Sequence, residues 1–105
     1  MQPTEKGPLT EAAYYILLSL YSPLHGYGIM QNVRKMSNDR VHLGAGTLYG
    51  AINTLLDRQW IASVGDSAMS RKKEYIITDA GRAAVKSEIL RLRELVENGQ
   101  RMEKL

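Results

Sequence analysis

The chain of 105 residues contains no cysteine. This absence excludes disulfide bonds, thiolate metal sites and cysteine nucleophiles, and it suits the reducing cytoplasm. A long apolar run is missing as well, because the longest one, residues 12–20, is far too short to span a bilayer. The N-terminus also lacks a basic region followed by an uninterrupted apolar stretch. We therefore expect a soluble cytoplasmic protein with no membrane partner.

Positive charge exceeds negative charge by only a little, with a net charge of +3 and an isoelectric point near 9.3. These values alone are a weak indication of a nucleic-acid partner, because many unrelated proteins share them. The location of the charge is more informative, since lysine and arginine outnumber the acids in residues 25–75, whereas residues 79–105 are nearly balanced. With 44% hydrophobic and 24% charged residues, the chain has the composition of one ordinary globular domain.

The beginning of the chain predicts a loose arm followed by an apolar helix. Residues 1–8 hold two prolines, a glycine and mostly polar companions, which is typical of a flexible arm. Thr10 is a candidate N-cap, and Glu11 follows it in the first turn, where a carboxylate favours the helix dipole. Residues 12–21 are apolar almost all round, so we expect the core to cover one face and a second subunit to cover another. Two side chains are assigned to that second face, Tyr14 and Leu18.

The middle of the chain predicts two more helices. An amphipathic stretch spans about residues 27–36, and residues 41–43 form a short β-like step. After Gly44 and Gly46, a third helix has an apolar stripe that consists of Leu48, Ile52, Leu55 and Leu56. With this stripe turned inward, Tyr49 lies at the edge of an outward face of small polar residues. The outward residues are Thr47, Gly50, Asn53, Thr54 and Asp57.

The end of the chain predicts a hairpin and a long helix. Strands at residues 60–64 and 73–78 flank a turn at 65–72, which gives the hairpin a basic tip. Thr78 is a candidate N-cap for the last helix, which we expect to end near Asn98-Gly99. This helix carries an apolar stripe with spacings of 4, 3 and 4 residues, typical of a seam that pairs with another helix. The stripe consists of Val85, Ile89, Leu92 and Val96.

This order of elements predicts a winged helix-turn-helix with a C-terminal dimerisation helix, a mainly α fold with a small β-hairpin. Its predicted parts are a flexible arm (1–8), a DNA-binding winged-helix domain (9–78) and a dimerisation helix with its tail (79–105). Because a fold alone does not define a function, the DNA-binding hypothesis depends on two surfaces, the polar face of the third helix and the basic hairpin tip. In helix-turn-helix proteins the recognition helix enters the major groove while neighbouring elements contact phosphates.

Each candidate residue has a chemical reason to contact DNA. Glycines before the third helix let a phosphate approach its N-terminus, where Thr47 could cap the helix or bind the phosphate. Tyr49 could reach the sugar-phosphate edge, Asn53 could pair with adenine, and Thr54 could contact a base or a thymine methyl. Cations at the hairpin tip could follow a neighbouring groove and release counterions. The candidate DNA-binding residues are Gly46, Thr47, Tyr49, Gly50, Asn53, Thr54, Arg71, Lys72 and Lys73.

Four segments carry a resemblance to a known family. They are Leu9-Thr10-Glu11-Ala12, Leu24-His25-Gly26-Tyr27-Gly28-Ile29, Leu43-Gly44-Ala45-Gly46-Thr47-Leu48-Tyr49 and Lys73-Glu74-Tyr75-Ile76-Ile77-Thr78. With these motifs, residues 9–98 resemble the PadR family of transcriptional regulators, and the short C-terminal region is similar to its short PadR-like subgroup. The resemblance implies a homodimer, paired through the first and last helices, that binds an inverted-repeat operator, commonly as a repressor released by a ligand or signal. Gly50 departs from the proline that many relatives have there.

Several residues also have simpler interpretations. Tyr49 could pack against the hairpin. Trp60 could fill the hinge between the third helix and the hairpin, or it could line a ligand pocket. The cations at the hairpin tip could be only a solvated turn. His25 and His42 stand apart from other ligands, which argues against a metal site, and no catalytic set can be assembled. We expect no cofactor and no enzyme activity, and an unidentified small-molecule effector is a further candidate partner. The alternative function is a winged-helix protein-interaction module with little affinity for DNA.

Overall fold

The computed structural model describes residues 8–64 and 73–105, which form four helices and one small sheet. The helices are α1 (Glu11–Ser19), α2 (Gly26–Met36), α3 (Ala45–Asp57) and α4 (Asp79–Glu103). The strands are β1 (Leu24–His25), β2 (Ile61–Val64) and β3 (Glu74–Ile77). They lie in the order β1-β3-β2, and both pairings are antiparallel. This arrangement confirms the predicted mainly α fold and adds a third strand to the hairpin.

Helix α1 begins as predicted but is shorter. The Thr10 hydroxyl accepts a hydrogen bond from the Ala13 N–H at 3.0 Å, which makes Thr10 the N-cap. The helix ends before the predicted residue 21, because the Leu20 N–H bonds to the Leu17 carbonyl at 3.1 Å. This i−3 contact tightens the last turn and closes the helix.

The prediction of a strand at residues 41–43 was wrong. The additional strand is β1, directly before α2, where it pairs with β3. At residues 41–43 a side chain satisfies the backbone, because the Val41 N–H donates to the Ser37 hydroxyl at 3.0 Å. A strand of two residues is too short to show an alternation of apolar and polar side chains, so the sequence pattern could not indicate β1.

Helix α2 has a histidine at its start. The His25 Nδ1 accepts a hydrogen bond from the Gly28 N–H at 3.2 Å and caps the helix, which agrees with its predicted place in the turn before α2. The helix ends at a left-handed turn in which Asn38 and Asp39 have φ of 56° and 65°. Short polar side chains of this kind tolerate that conformation better than most, so the turn can redirect the chain towards α3.

The core lies between α1, α2, α3 and the sheet. Its seven large, fully buried side chains are Ile16, Leu17, Leu20, Ile29, Val33, Leu48 and Ile52. Burying one such side chain stabilises the fold by about 1.5–3 kcal/mol. On β3 the burial alternates as predicted, because Tyr75 and Ile77 are buried while Ile76 is only half-buried.

The start of α4 is fastened to the turn that follows α3. Thr78 caps α4 as predicted, because its hydroxyl oxygen accepts the Gly81 N–H at 3.1 Å. The same hydroxyl donates to the Gln59 carbonyl at 2.7 Å, and the Thr78 N–H bonds to the Trp60 carbonyl at 2.9 Å. A side chain at Gly81 would also place its Cβ 2.6 Å from Ile77, so only glycine lets the helix pack this closely.

The predicted end of α4 near Asn98-Gly99 was wrong, because the helix continues to Glu103. Neither residue takes the left-handed conformation in which such pairs end helices. Instead, the Asn98 side chain accepts a hydrogen bond from the Arg101 guanidinium one turn later. Asparagine and glycine permit a helix to end but do not force it to, so the longer helix is compatible with the same residues.

Candidate nucleic-acid interface

Helix α3 presents the polar face that the apolar stripe predicted. Leu48 and Ile52 are fully buried, and Leu55 is nearly so, which fixes the rotation of the helix about its axis. The residues opposite this stripe are exposed as expected. They are Thr47, Gly50, Asn53, Thr54 and Asp57. The structure therefore brings the predicted candidates of α3 together on one solvent-facing surface.

The start of α3 carries no side-chain cap. Gly44 is the N-cap residue, in an extended conformation, and its carbonyl accepts the Leu48 N–H at 2.9 Å. Thr47 lies inside the helix, so the suggestion that its hydroxyl caps α3 was wrong. Because no side chain among the described residues caps this end, its first N–H groups are available to an anion.

Three glycines on this surface have room for a side chain. A Cβ added to Gly44, Gly46 or Gly50 would meet no other atom within 4 Å. Glycine inside a helix costs about 0.5–1 kcal/mol relative to alanine, so Gly46 and Gly50 carry a cost that packing against residues 8–64 and 73–105 does not require. These glycines leave the backbone of α3 uncovered on its exposed side.

Tyr49 is packed on one side and exposed on the other. Its side chain is 44% exposed, yet its ring lies over the start of α2, where a Cβ on Gly26 would come within 2.9 Å of Tyr49 Cζ. Tyr49 also lies near Tyr75, whose pKa is raised chiefly by burial and additionally by this neighbour. The packing partner is thus the start of α2, and the exposed remainder faces solvent beside the polar surface of α3.

Asn53 and Thr54 differ in how much hydrogen-bonding capacity they keep. Both side chains are exposed, but the Thr54 hydroxyl donates to the Gly50 carbonyl of the same helix at 3.2 Å. Thr54 thus retains an acceptor and a methyl group, whereas Asn53 forms no side-chain hydrogen bond among the described residues. Asn53 is therefore the better placed of the two to pair with a base edge.

The predicted basic tip is described only at its edge. Lys73 is exposed directly before β3, whereas Arg71 and Lys72 lie outside the described residues. Elsewhere in the positively charged middle of the chain, Arg34 pairs with Asp39 at 3.1 Å, and Arg40 pairs with Glu11. The Arg40 hydrogen bond lowers the pKa of the Glu11 carboxyl. Because Glu11 lies outside residues 25–75, its pair with Arg40 neutralises part of the charge excess of this region, whereas Asp39 already counts within it.

The predicted dimer seam divides into exposed and buried parts. Tyr14 of α1 and six residues of α4 line one open groove of about 470 Å³, and besides Arg93, Glu97 and Gln100 the six include three apolar side chains. The three are Ile89, Leu92 and Val96. Leu18 is half-buried on α1 outside this groove. Val85 does not belong to the exposed seam, because only 2% of it is exposed and it packs within the core of its own protomer.

Glu88 is a residue whose environment the sequence did not indicate. It lies among charged residues of α4, yet it is only 4% exposed. Its carboxylate pairs with Arg91 at 2.6 Å and accepts the Leu9 N–H at 3.4 Å. The hydrogen bond from Arg91 outweighs burial and lowers the pKa of Glu88. The i,i+3 spacing of an acid and an arginine was the one sequence signal for this pair.

The two histidines serve the backbone. His25 caps α2, and a ring nitrogen of His42 lies 2.9 Å from the Asp39 carbonyl oxygen. Within residues 8–64 and 73–105, no three histidine or acidic side chains are grouped as metal ligands would be. In the same part of the chain, no helix is both long and apolar enough to cross a membrane.

Comparison with known proteins supports one family. A family model described as the transcriptional regulator PadR-like family matches residues 16–87. A PadR family transcription regulator from Clostridium difficile R20291 has a similar structure, with a TM-score of 0.77, 21% identity and coverage of 89% of this chain and 98% of the other. A PadR family transcriptional regulator from Eggerthella lenta is also similar in structure, with a TM-score of 0.70 and 20% identity. The match covers 86% of this chain and 79% of the other.

A third similar structure is BpsR from Bordetella bronchiseptica, whose DNA binding is regulated by 6-hydroxynicotinic acid. It has a TM-score of 0.68 and 20% identity, over 93% of this chain and 67% of the other. No curated protein matches the chain. At these identities the structural likeness shows the fold, and it confirms the winged helix predicted from the order of elements.

Proposed function

Because the chain belongs to the PadR-like family of transcriptional regulators, we propose that it is a homodimeric repressor that binds an inverted-repeat operator in the cytoplasm. The observation that carries this proposal is the outward face of α3. There, exposed polar side chains stand beside glycines whose missing side chains leave the helix backbone open. Such a surface suits the major groove, which admits an α-helix and offers hydrogen-bonding base edges.

In this mechanism the start of α3 approaches a phosphate through its uncapped N–H groups, with Thr47 as a neighbouring donor. Asn53 and Thr54 then face base edges, and Tyr49 faces the sugar-phosphate backbone. The side chains at the hairpin tip bind phosphates and release counterions without reading sequence. These side chains are Arg71, Lys72 and Lys73.

The homodimer is proposed to form through the groove between α1 and α4. Its apolar side chains are exposed in the protomer, with Val96 at 56%, and lie on the same helices that the family resemblance assigns to pairing. Burying an apolar seam of this kind against its symmetric copy provides the association energy. Two α3 helices would then enter major grooves about 34 Å apart on one side of the DNA. A dimer seated there blocks access to a promoter, which is why we propose repression.

Control by a small molecule is part of the proposal. The support comes from BpsR, a protein of similar fold whose DNA binding responds to 6-hydroxynicotinic acid. A ligand can shift the occupancy of an operator only if it binds the DNA-bound and free conformations with different affinity.

Selection of bound sequences from a random DNA pool tests the proposed function. We expect a palindrome whose half-sites lie about 10 base pairs apart, centre to centre. Asn53→Ala should relax preference at one position in each half-site, whereas Lys73→Ala should weaken all DNA alike and reduce the salt slope. Asn98→Ala and Lys86→Ala on α4 are the matched controls, and both should bind like the natural chain. Sequence-independent or undetectable binding would favour the protein-interaction module instead.

A further inference from the structure

Helix α4 carries a row of polar side chains beside the apolar side chains of its seam. Arg93, Glu97 and Gln100 follow one another at spacings of four and three residues, so they lie along one side of the helix. All three are exposed and line the open groove. We propose that Arg93 and Glu97 select a second copy of this chain, whose α4 lies antiparallel in the groove. The pairing rests on the proposed homodimer and adds its orientation and the residues that select the partner.

Arg93 and Glu97 are one helical turn apart but do not pair with each other. Within the described part of the chain, every salt bridge involves other residues. Their order disfavours a pair inside the helix, because an acid stabilises a helix better when it precedes the cation by four residues than when it follows it. Two opposite charges therefore stay open beside the apolar side chains of the groove. An apolar centre with a polar rim is the usual anatomy of a protein–protein interface.

The sign of the charge changes along α4. Residues 82–93 contain four cations and one acid, whereas residues 94–103 contain three acids and one cation. Antiparallel copies place the basic part of each helix against the acidic part of the other. Parallel copies would place like charges together, which destabilises an interface. Charge complementarity therefore favours the antiparallel orientation, and the α4 helix of a second copy supplies the complementary charges.

A two-fold axis makes each contact of this interface occur twice. When Arg93 meets the partner's Glu97, Glu97 also meets the partner's Arg93. The axis then passes midway between the two positions, near residue 95, with Leu92 on one side of it and Val96 on the other. Burial of such apolar side chains supplies most of the association energy. The exposed charge pairs are individually weak, but they determine the orientation and the partner.

Charge reversal tests these pairs in the full-length protein without DNA. Arg93→Glu or Glu97→Arg alone should raise the dimer dissociation constant at least about tenfold, because each replaces two attractions by two repulsions. A mixture of the two variants should form mainly heterodimers, which native mass spectrometry counts, since both pairs then join an acid to an arginine. This preference should disappear in about 1 M salt, which screens exposed charges. Glu94→Arg, exposed and outside the groove, is the matched control and should dimerise like the natural chain.

Introduced cysteines test the orientation separately, since the chain has none of its own. With the axis near residue 95, residue 89 of one copy lies about 1.5 Å along the helix axis from residue 100 of the other, whereas the two copies of residue 100 are about 15 Å apart. A disulfide needs Cα atoms within about 7 Å of each other. A mixture of Ile89→Cys and Gln100→Cys should therefore form cross-linked dimers on oxidation, and Gln100→Cys alone should not. A parallel dimer gives the opposite result.

A chain that carries both charge reversals separates loss of pairing from loss of folding. Its own homodimer restores both pairs with the charges exchanged, so it should dimerise like the natural chain. It should not mix with the natural chain, because every pair would then join like charges. Failure of this double variant to dimerise would overturn the proposal.

Statistical mixing of Arg93→Glu with Glu97→Arg would overturn the selective role of the two residues and leave the proposed homodimer intact. Cross-linking of Gln100→Cys alone would overturn the antiparallel orientation. A natural chain that stays monomeric at every concentration would contradict the homodimer and the pairing together. Selective pairing by a chain that does not select DNA would contradict the DNA-binding part of the proposed function and support the pairing.

Discussion

Tyr49 is placed by a residue that never needs to touch DNA. Gly26 leaves the space into which the Tyr49 ring leans, and a methyl group there would collide with the ring and approach Leu48 Cδ2 at 3.3 Å. Because the end of the tyrosine is the movable partner, the collision is relieved most easily by turning Tyr49 outward. Gly26 is therefore a positioning residue for Tyr49, and its effect on function can be separated from its effect on stability.

We expect Gly26→Ala to keep its melting temperature approximately and to lose at least about tenfold in operator affinity, or ~1.4 kcal/mol. Thermal unfolding and fluorescence anisotropy measure the two effects. In a Tyr49→Ala background the same substitution should have no further effect on affinity, because the two residues act through one contact. Additive losses would show that Gly26 does not act through Tyr49.

Substituting an open glycine of α3 should raise the stability of the free protein and lower its affinity for the operator. Gly50→Ala should stabilise the free protein by about 0.5–1 kcal/mol, since its Cβ meets nothing and alanine favours the helix. It should also weaken operator binding by about 1–3 kcal/mol if the DNA backbone or bases approach this point. Gly99→Ala in α4, whose Cβ also meets nothing, should give the same stabilisation and no change in DNA binding. Unchanged operator affinity in Gly50→Ala would argue against close approach at this position.

Glu88 gives the fold a defined dependence on pH. Its hydrogen bond with Arg91 lowers its folded-state pKa below the ordinary 4.5, although burial opposes this shift. A depressed pKa means that the stabilisation is complete above pH 4.5 and disappears as the pH falls through the folded-state value. Glu88→Gln should therefore be less stable than the natural chain by about 1–3 kcal/mol at pH 7, and the two should converge in acid. Urea unfolding between pH 7 and pH 3 measures the difference in free energy of unfolding between the variant and the natural chain. Glu94→Gln, at an exposed position, is the control and should unfold like the natural chain.

Among the elements, α4 carries the clearest test of assembly. Ile89→Glu places a charge in the groove between α1 and α4, and we expect it to convert the dimer into a monomer in light-scattering measurements. Leu90→Glu is the matched control, because Leu90 is more exposed than Ile89 and lies outside the groove. A dimer that survives Ile89→Glu, or one that only Leu90→Glu disrupts, would place the interface elsewhere.

The sequence predicted elements where a pattern repeats and failed where a single contact decides. The stripes of α3 and the alternation of β3 repeat over several residues, so burial follows directly from spacing. Strand β1 has two residues, and the end of α4 depends on the conformation of Asn98 and Gly99 alone, so neither has a repeating signal. The predicted seam of α4 included Val85, which packs in the core, because periodicity cannot tell a core neighbour from a second subunit.

Glu88 shows that a sequence pattern also fails to predict contacts between segments that are distant in the chain. A glutamate on a charged helix is usually solvated, but Glu88 is buried and its carboxylate accepts the N–H of Leu9 from the far end of the chain. The groove between α1 and α4 is likewise formed by segments distant in sequence. By contrast, the polar face of α3 belongs to one helix, so the residues themselves were sufficient to predict it.

At the scale of the whole molecule, the longest element is α4, with 25 residues. The hydrogen bonds of Thr78 join the start of this helix to the turn after α3, so we expect the two helices to move together. A helix of 25 residues is about 37 Å long, and a tilt of about 5° moves its far end by about 3 Å, close to one base-pair step. In the proposed dimer, the angle at which the two α4 helices cross therefore determines the distance between the two α3 helices. That distance in turn determines which half-site spacings of an operator the protein can bind.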